Sequence, residues 1–505
     1  MHIGFLNPQG NFDPKDSHWT EHPDFGGQLV YVKQLALAMG AQGHKVDILT
    51  RQIIDPEWPA FAGKFDAYPN QPNIRIIRLP AGSEKFMRKE LLWQHLIQEW
   101  VPNILNFYQE EGQFPDAMTA HFADGGLSAV LIHAQTGIPF TFTAHSLGAL
   151  KMDRLHLTQD NVAEMNEYFY FGRRLFAERL SMNHSGVNIT STLTQERFHQ
   201  YDHPSYHGAV DVKNSDRFAT IPPGVNPDVF GAEVRLENEE AIYEKIQARL
   251  ERDIFRDRKT LPAIIASSRL EPKKNHIGLV QAYASSPALQ AKANLVIFTK
   301  GEDDPLRIKA SDEISEIQVL APIRKIIDDR NLWGKVSAFS IPSQSALAGA
   351  YRFFVQYRSV FTLVSLHEPF GLAPLEAAVS GLPVVATQDG GPKESLQQGD
   401  EKFCILIDPT SPEDIAQGLE TVISQSEVWE DLQKRGCDRV LQCYTWKRTA
   451  QEYLKMLEKI VAAPKRNPDD LLPIHPYFMG AQTDQDVSLS EFSQLYFGCN
   501  TQEVA

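Results

Sequence analysis

Short apolar runs of strand length, each followed by a stretch of helical period, recur along nearly the whole chain and commit it to a parallel α/β architecture. In the first part the runs lie at 3–6, 46–50, 74–79, 116–121 and 139–144, with helical patterns over 29–39 and 126–134 between them. Leu29, Val32, Ala36 and Met39 share one helical face, as a first crossover helix requires. A second series follows at 262–267, 294–299, 335–339, 359–364, 382–387 and 403–408. Between the two series, Ile-Pro-Pro-Gly-Val-Asn over 221–226 breaks the periodicity, and the charged, helix-like stretch 237–258 reads as an exposed connector. A chain of 505 residues exceeds what one hydrophobic core organises. The expected architecture is two doubly wound Rossmann-like domains facing across a cleft, 1–225 and 226–460. A tail over 461–505 is expected to pack on the outside and to cross back towards the first domain. In such sheets ligands collect at the carboxyl ends of the strands.

Composition removes several classes of function. Asp and Glu number 64 against 49 Lys and Arg, a formal charge of −15, which argues against non-specific binding to nucleic acid or anionic membranes. Any anionic substrate must therefore meet a local basic cluster. Cys404, Cys437, Cys443 and Cys499 show no metal-ligand spacing and read as reduced thiols. The amino end enters a strand without a basic leader, and no apolar run approaches the roughly 20 residues that span a bilayer. A soluble, cytoplasmic protein is expected.

Two glutamates, Glu368 and Glu376, bracket a Pro-Phe-Gly turn after the apolar run 359–366. On a strand, loop and helix start, that spacing aims one carboxylate and several backbone N–H groups at a ligand; the alternative is a solvated connection. Gly26 and Gly27 precede the first helix and either form an ordinary turn or let backbone amides approach a phosphate. The dinucleotide fingerprint is absent. Arg269 and Lys274 follow a strand end and form either a solvated turn or a charged clamp for a leaving diphosphate. His145 ends a strand, as a satisfied core residue or a partner for a sugar hydroxyl, with Ser146 beside it and Lys151 at helical distance. Arg88 with Lys89, and Arg173 with Arg174, are separately solvated faces; joined to Lys151 they would hold a phosphate monoester. The Asp-Gln-Asp-Val-Ser stretch at 484–488 lacks a preceding apolar strand and is not a phosphatase signature, and the acidic 302–304 reads as a solvated loop, not a metal site.

Phe-Gly-Gly-Gln at 25–28, His145, Arg269 with Lys274, Glu-Pro-Phe-Gly-Leu from 368, Glu376 and Gly-Gly-Pro-Lys-Glu at 390–394 together resemble the retaining glycosyltransferases of the GT-B fold, over residues 1 to about 460. Within that group the chain is most similar to the sucrose-phosphate synthases, through Phe-Leu-Asn-Pro-Gln-Gly-Asn-Phe at 5–12, the stretch 19–33, Phe-Thr-Ala-His-Ser-Leu-Gly-Ala at 142–149 and the stretch 267–276. The resemblance implies transfer of glucose from UDP-glucose to fructose 6-phosphate, with retention at the anomeric carbon and no cofactor or metal. It implies that Gly26 and Gly27 line the diphosphate, that Arg269 and Lys274 neutralise it, and that Glu376 holds the ribose hydroxyls. Glu368 and His145, with the amides of Phe370, Gly371 and Leu372, would fix the glucose. Lys89, Ser146, Lys151, Arg173 and Arg174 would bind the acceptor phosphate.

On this reading the leaving phosphate oxygen takes the acceptor proton in a same-face substitution, and a separate sucrose-phosphate phosphatase consumes the product. Sucrose synthase is the nearest alternative. It carries a long amino-terminal extension, whereas here the first strand starts at residue 2, and free fructose gives the basic cluster no partner. A non-catalytic sugar-phosphate sensor is the alternative from another class, and it need not retain the leaving-group cations.

Overall fold

A computed structural model describes residues 1–16, 25, 27–237, 239–299, 301, 303–307, 316–480 and 485–498; Gly26, Cys499 and parts of the stretches 19–33, 302–304 and 484–488 lie outside these. The chain divides into two compact units, Met1–Pro222 with Thr449–Ala505, and Pro223–Arg448. No helix among the described residues is long and apolar enough to cross a membrane.

The sheet of the first unit contains β1 His2–Leu6, β2 Lys45–Arg51, β3 Phe65–Asp66, β4 Ile74–Leu79, β5 Ala117–His121, β6 Phe140–Thr143, β7 Val187–Thr190 and β8 Phe218–Thr220. Their order is β3-β4-β2-β1-β5-β6-β7-β8, and only the β3–β4 pairing is antiparallel. Chain direction across the sheet reverses at β1, which pairs with β2 on one side and β5 on the other. The helices that carry the later argument are α1 Gly27–Gly40, α2 Phe122–Thr136, α3 Gly148–Arg154 and α4 Phe171–His184.

The second unit holds β9 Ala263–Ser267, β10 Asn294–Thr299, β11 Val336–Ser340, β12 Val360–Leu363, β13 Val384–Thr387 and β16 Ile405–Ile407, with β14 Gln397–Gln398 and β15 Glu401–Lys402 forming a separate hairpin. The main sheet runs β11-β10-β9-β12-β13-β16 and is wholly parallel. Both faces are covered: Ile265, Val296 and Phe298 enter one apolar cluster, while Ile264, Leu295 and Ile297 enter another. That two-sided burial is why these strands are continuous apolar runs in the sequence, with no alternation of polar residues.

Helices of this unit include α5 Glu239–Asp253, α6 His276–Ser285, α7 Gln344–Val355 and α8 Leu372–Val379. The charged stretch expected to be an exposed connector is α5, and it packs into the unit. Ile246 is 1% exposed, and buried Glu239 receives Nε and Nη2 of Arg352, on α7, at 2.8 and 2.9 Å. Glutamate at the start of a helix would ordinarily be solvated, but a bidentate guanidinium satisfies it in the interior.

The helix α9 Trp446–Ala462 spans the division between the units. Within the first unit it inserts Tyr453, fully buried, whose hydroxyl meets Thr119 at 2.6 Å, Thr141 at 3.1 Å and Thr143 at 3.0 Å on β5 and β6. Beyond it, Ser488 and Glu491 form a reciprocal capping box that starts α10 Leu489–Phe497. Phe492 of α10 joins the apolar core of the first unit.

Candidate active site

In the second unit the strand order reverses at β9, so the loops leaving β9 and β12 lie side by side at the carboxyl edge of the sheet, where doubly wound folds bind ligands. The two loops are bonded together, with Leu366 N–H donating to Lys273 O at 2.9 Å. Lys274 Nζ lies 2.6 Å from Glu368 Oε2, with side chains only 16% and 14% exposed. Arg269 goes elsewhere: it is 67% exposed and pairs with Glu271 at 3.0 Å. His276 braces the β9 loop through Ser268 Oγ at 2.9 Å, and burial pushes its imidazole down to about 4, so it is neutral.

The Glu368 loop is shaped from behind by the Gly-Gly pair after β13. Glu368 N–H donates to Asp389 O at 3.1 Å, and Gly391 N–H donates to Glu368 O at 2.8 Å. At Gly390, with φ 118°, a Cβ would lie 2.0 Å from Glu368 O; at Gly391 it would lie 2.4 Å from the Phe370 backbone. Side chains at either position would push the loop out of place. Gly371 then turns the chain into α8, whose first N–H groups lack intrahelical acceptors and form an anion-receptive end. Glu376, on α8, is partly buried, and burial pushes its carboxyl up to about 7. Lys274 and Glu368 therefore pair at the strand edge, just before the turn at Gly371 that starts α8, on which Glu376 lies, while Arg269 is held by Glu271 in the β9 loop.

In the first unit, Gly27 opens α1, and nothing lies within 4 Å of where its Cβ would be. His145 follows β6 with φ 56°, a left-handed conformation costly for a non-glycine residue. Its Nε2 is 2.9 Å from Nδ1 of fully buried His121, so one ring donates to the other. Burial pushes His145 down to about 3 and His121 well below its ordinary value, and both are neutral.

Lys151 on α3 sits 4.2 Å over the Phe169 ring. Burial first, then the charges of Lys89 and Arg174, push its ammonium down to about 8. Lys89 and Arg174 are thus near enough for their charges to act on Lys151, a grouping that suits a dianionic phosphate. Ser146 is exposed beside them, and its carbonyl accepts from Arg174 Nη2 at 2.8 Å. Arg173 is not part of this group. Successive helix residues point about 100° apart, and Arg173 is bidentate on Asp486, at 2.7 to 3.2 Å, between the Tyr170 and Tyr477 rings. Its replacement by alanine should cost about 1–2 kcal/mol of stability. The KM for a phosphate-bearing substrate should stay within about twofold, because the other cations are untouched. Thermal unfolding and steady-state kinetics check this; a selective rise in that KM with an unchanged melting point would return Arg173 to the pocket.

Two further groups escape the motif-based reading. Glu178, 1% exposed, accepts from Arg174 Nε at 2.9 Å, from Gly148 N–H at 2.9 and 3.0 Å and from Tyr206 OH at 2.5 Å. Its signal was present, since Arg174 and Glu178 are four apart on one helix. Asp124, at the start of α2, is 3% exposed.

The family described as Glycosyl transferase 4-like domain matches residues 26–203, and Glycosyl transferases group 1 matches residues 248–439. A probable sucrose-phosphate synthase of Thermosipho melanesiensis is 40% identical over 91% of this chain and 97% of its own length. A probable sucrose-phosphate synthase 1 of Citrus unshiu is 31% identical over 93% of this chain, which spans 48% of that longer protein. Among solved structures, a sucrose-phosphate synthase from Thermosynechococcus elongatus superposes with a TM-score of 0.64 at 21% identity, covering 92% of this chain and 100% of the other.

Proposed function

The chain belongs to the sucrose-phosphate synthase family of GT-B glycosyltransferases, and from that premise we propose that it transfers glucose from UDP-glucose to fructose 6-phosphate, giving sucrose 6-phosphate and UDP with the anomeric configuration retained. The observation that carries the choice of acceptor is the clustering of Lys89, Lys151 and Arg174 in the first unit. A free ketohexose has no group that needs three cations, whereas a phosphate monoester carries close to two negative charges at neutral pH.

The donor is the business of the second unit. On this reading Lys274 neutralises the departing diphosphate, Arg269 adds charge from the β9 loop, and the positive end of α8 favours the same oxygens; the pairing of Lys274 with Glu368 at the strand edge supports it. Glu368 receives the glucose hydroxyls and Glu376 the ribose. His145, being neutral, offers an uncharged ring nitrogen to a sugar hydroxyl. No carboxylate is assigned as a nucleophile. Chemistry proceeds by positioning and by stabilising charge on the leaving group, whose phosphate oxygen removes the acceptor proton on the same face. The product keeps its phosphate, so a separate phosphatase is the reaction that must follow. Free thiols at Cys404, Cys437 and Cys443 fit a reducing compartment, and we place the reaction in the cytoplasm.

One activity panel tests this, crossing UDP-, ADP- and GDP-glucose with fructose and fructose 6-phosphate. The expected result is a kcat/KM at least about 100-fold higher for the phosphorylated acceptor, the scale of losing several charge-assisted hydrogen bonds. Equal use of free fructose would replace this reading with sucrose synthase, and donor binding without turnover would replace it with a sensor.

A further inference from the structure

The sheet of the first unit has its own reversal point between β1 and β5, and the loops leaving those strands hold groups that none of the roles above uses. After β5 the chain turns sharply at Phe122, φ 60°, into α2. Gly125 then lies so close to the end of β1 that a Cβ would stand 2.5 Å from Leu6 O, which seats the start of α2 against the loop of Asn7, Pro8 and Gln9. Asp124 is buried at that junction. Its Oδ1 accepts from Gly125 N–H at 3.0 Å, which satisfies the helix start; its Oδ2 is buried with no hydrogen-bond partner.

A buried carboxylate oxygen left unpaired is costly, and a native chain keeps one where a ligand supplies the missing donor. Its surroundings say which kind of donor. The Gln9 carboxamide approaches the carboxyl and, with Lys89, favours its charge, although no donor reaches Oδ2 at hydrogen-bond distance; the charge in turn acts on Arg174, so Asp124 lies at the edge of the basic cluster. Lys89 and Gln9 also line a small pocket with Pro8, Gly10 and Phe86. A cation would be repelled by Lys89, Lys151 and Arg174, and a phosphate oxygen would be repelled by Asp124 itself. What remains is a neutral hydroxyl on a molecule whose phosphate those cations hold. Burial pushes the Asp124 carboxyl up to about 6, so near neutral pH it is chiefly the acceptor-only carboxylate that such a hydroxyl requires.

We propose that Asp124 is a specificity-determining residue, whose unpartnered Oδ2 accepts a hydrogen bond from one ring or chain hydroxyl of the sugar-phosphate acceptor. The inference rests on the reading of the first unit as the acceptor-binding unit. It makes Asp124 and the basic cluster a two-ended gauge, cations for the phosphate and a carboxylate for a hydroxyl at a fixed separation from it.

The test uses the full chain with UDP-glucose and a set of monodeoxy fructose 6-phosphates, each lacking one hydroxyl. For the unaltered protein, one analogue should lose roughly 10- to 100-fold in kcat/KM, the range for a hydrogen bond to a charged group. Asp124→Asn should raise the KM for fructose 6-phosphate by a similar factor, leave the KM for UDP-glucose within about twofold, and respond to that one analogue by less than about threefold. Asp124→Ser, which keeps a small polar group at the helix start, serves if the asparagine variant folds poorly. An unchanged KM for fructose 6-phosphate, equal losses for both substrates, or undiminished sensitivity of the variants to every analogue would each overturn the inference. Failure of the unaltered protein to form sucrose 6-phosphate would instead overturn the proposed function, so the two failures are told apart.

Discussion

Lys274→Ala lowers kcat by roughly 100- to 1,000-fold, the scale of removing one preorganised charge-stabilising group, while the affinity for UDP falls by no more than about tenfold. The asymmetry follows from what Lys274 does before any substrate arrives. Its ammonium is neutralised by Glu368 at 2.6 Å, so ground-state binding of a diphosphate replaces one anionic partner with another and the net gain is modest. As the glycosidic C–O bond breaks, a further negative charge develops on the leaving oxygen, and a fixed cation interacts with that charge more strongly than with the ground state. Interactions of that kind appear in kcat and not in binding. The alanine variant also leaves Glu368 without its counter-charge, so the melting temperature must be read alongside. Both side chains keep some contact with water, and the structural cost should stay near 1–2 kcal/mol. Single-turnover kinetics with calorimetric UDP binding is the measurement. Proportional losses in the two would mean that Lys274 binds uniformly, and the leaving-group role would then fall to Arg269.

The strands of the second unit were legible because they are buried on both faces and so appear as largely apolar runs. In the first unit β3, β7 and β8 gave no such run, being two, four and three residues long with polar residues among them. The helix Glu239–Asp253 was legible as a helical stretch, but its burial was not. Its buried face is carried by a few isoleucines and leucines among many charges, and one of those charges, Glu239, is itself interior because Arg352 lies 113 positions later in the chain. Local pattern cannot report a partner that distant. The site shows the same division. Glu368 and Lys274 sit on connections whose turn residues and strand-end position announce them, and Glu376 lies on the helix that one of those turns starts. Arg173 and Arg174 are indistinguishable as a dipeptide, yet one faces Asp486 in the carboxyl-terminal segment and the other Glu178. Asp124 precedes the helical pattern read over 126–134 and carried no signal there; only its unpartnered oxygen sets it apart.

Glu178→Gln should destabilise the first unit by about 3 kcal/mol and raise the KM for fructose 6-phosphate on the order of tenfold, with the KM for UDP-glucose unchanged within about twofold. The stability loss arises because the Glu178 carboxylate serves donors from Arg174, Gly148 and Tyr206 in a nearly dry setting. An amide keeps one acceptor oxygen but points N–H groups at other donors and leaves the Arg174 guanidinium, 14% exposed, without its counter-charge. The kinetic consequence has two opposing parts. Removing a negative charge beside Arg174 makes that residue a better phosphate ligand. Against this, Glu178 holds three parts of the acceptor site at once. It fixes Arg174 directly, the Ser146 loop through the Arg174 bond to Ser146 O, and α3 with Lys151 through Gly148 N–H. Small displacements of several ligands outweigh a stronger field at one of them, because bidentate and charge-assisted contacts fall off steeply with misalignment. The net result is weaker acceptor binding with kcat largely preserved. Denaturant unfolding and initial rates at varied fructose 6-phosphate decide it. A lowered acceptor KM would show that the field term wins, and an unchanged one alongside the stability loss would confine Glu178 to holding the fold.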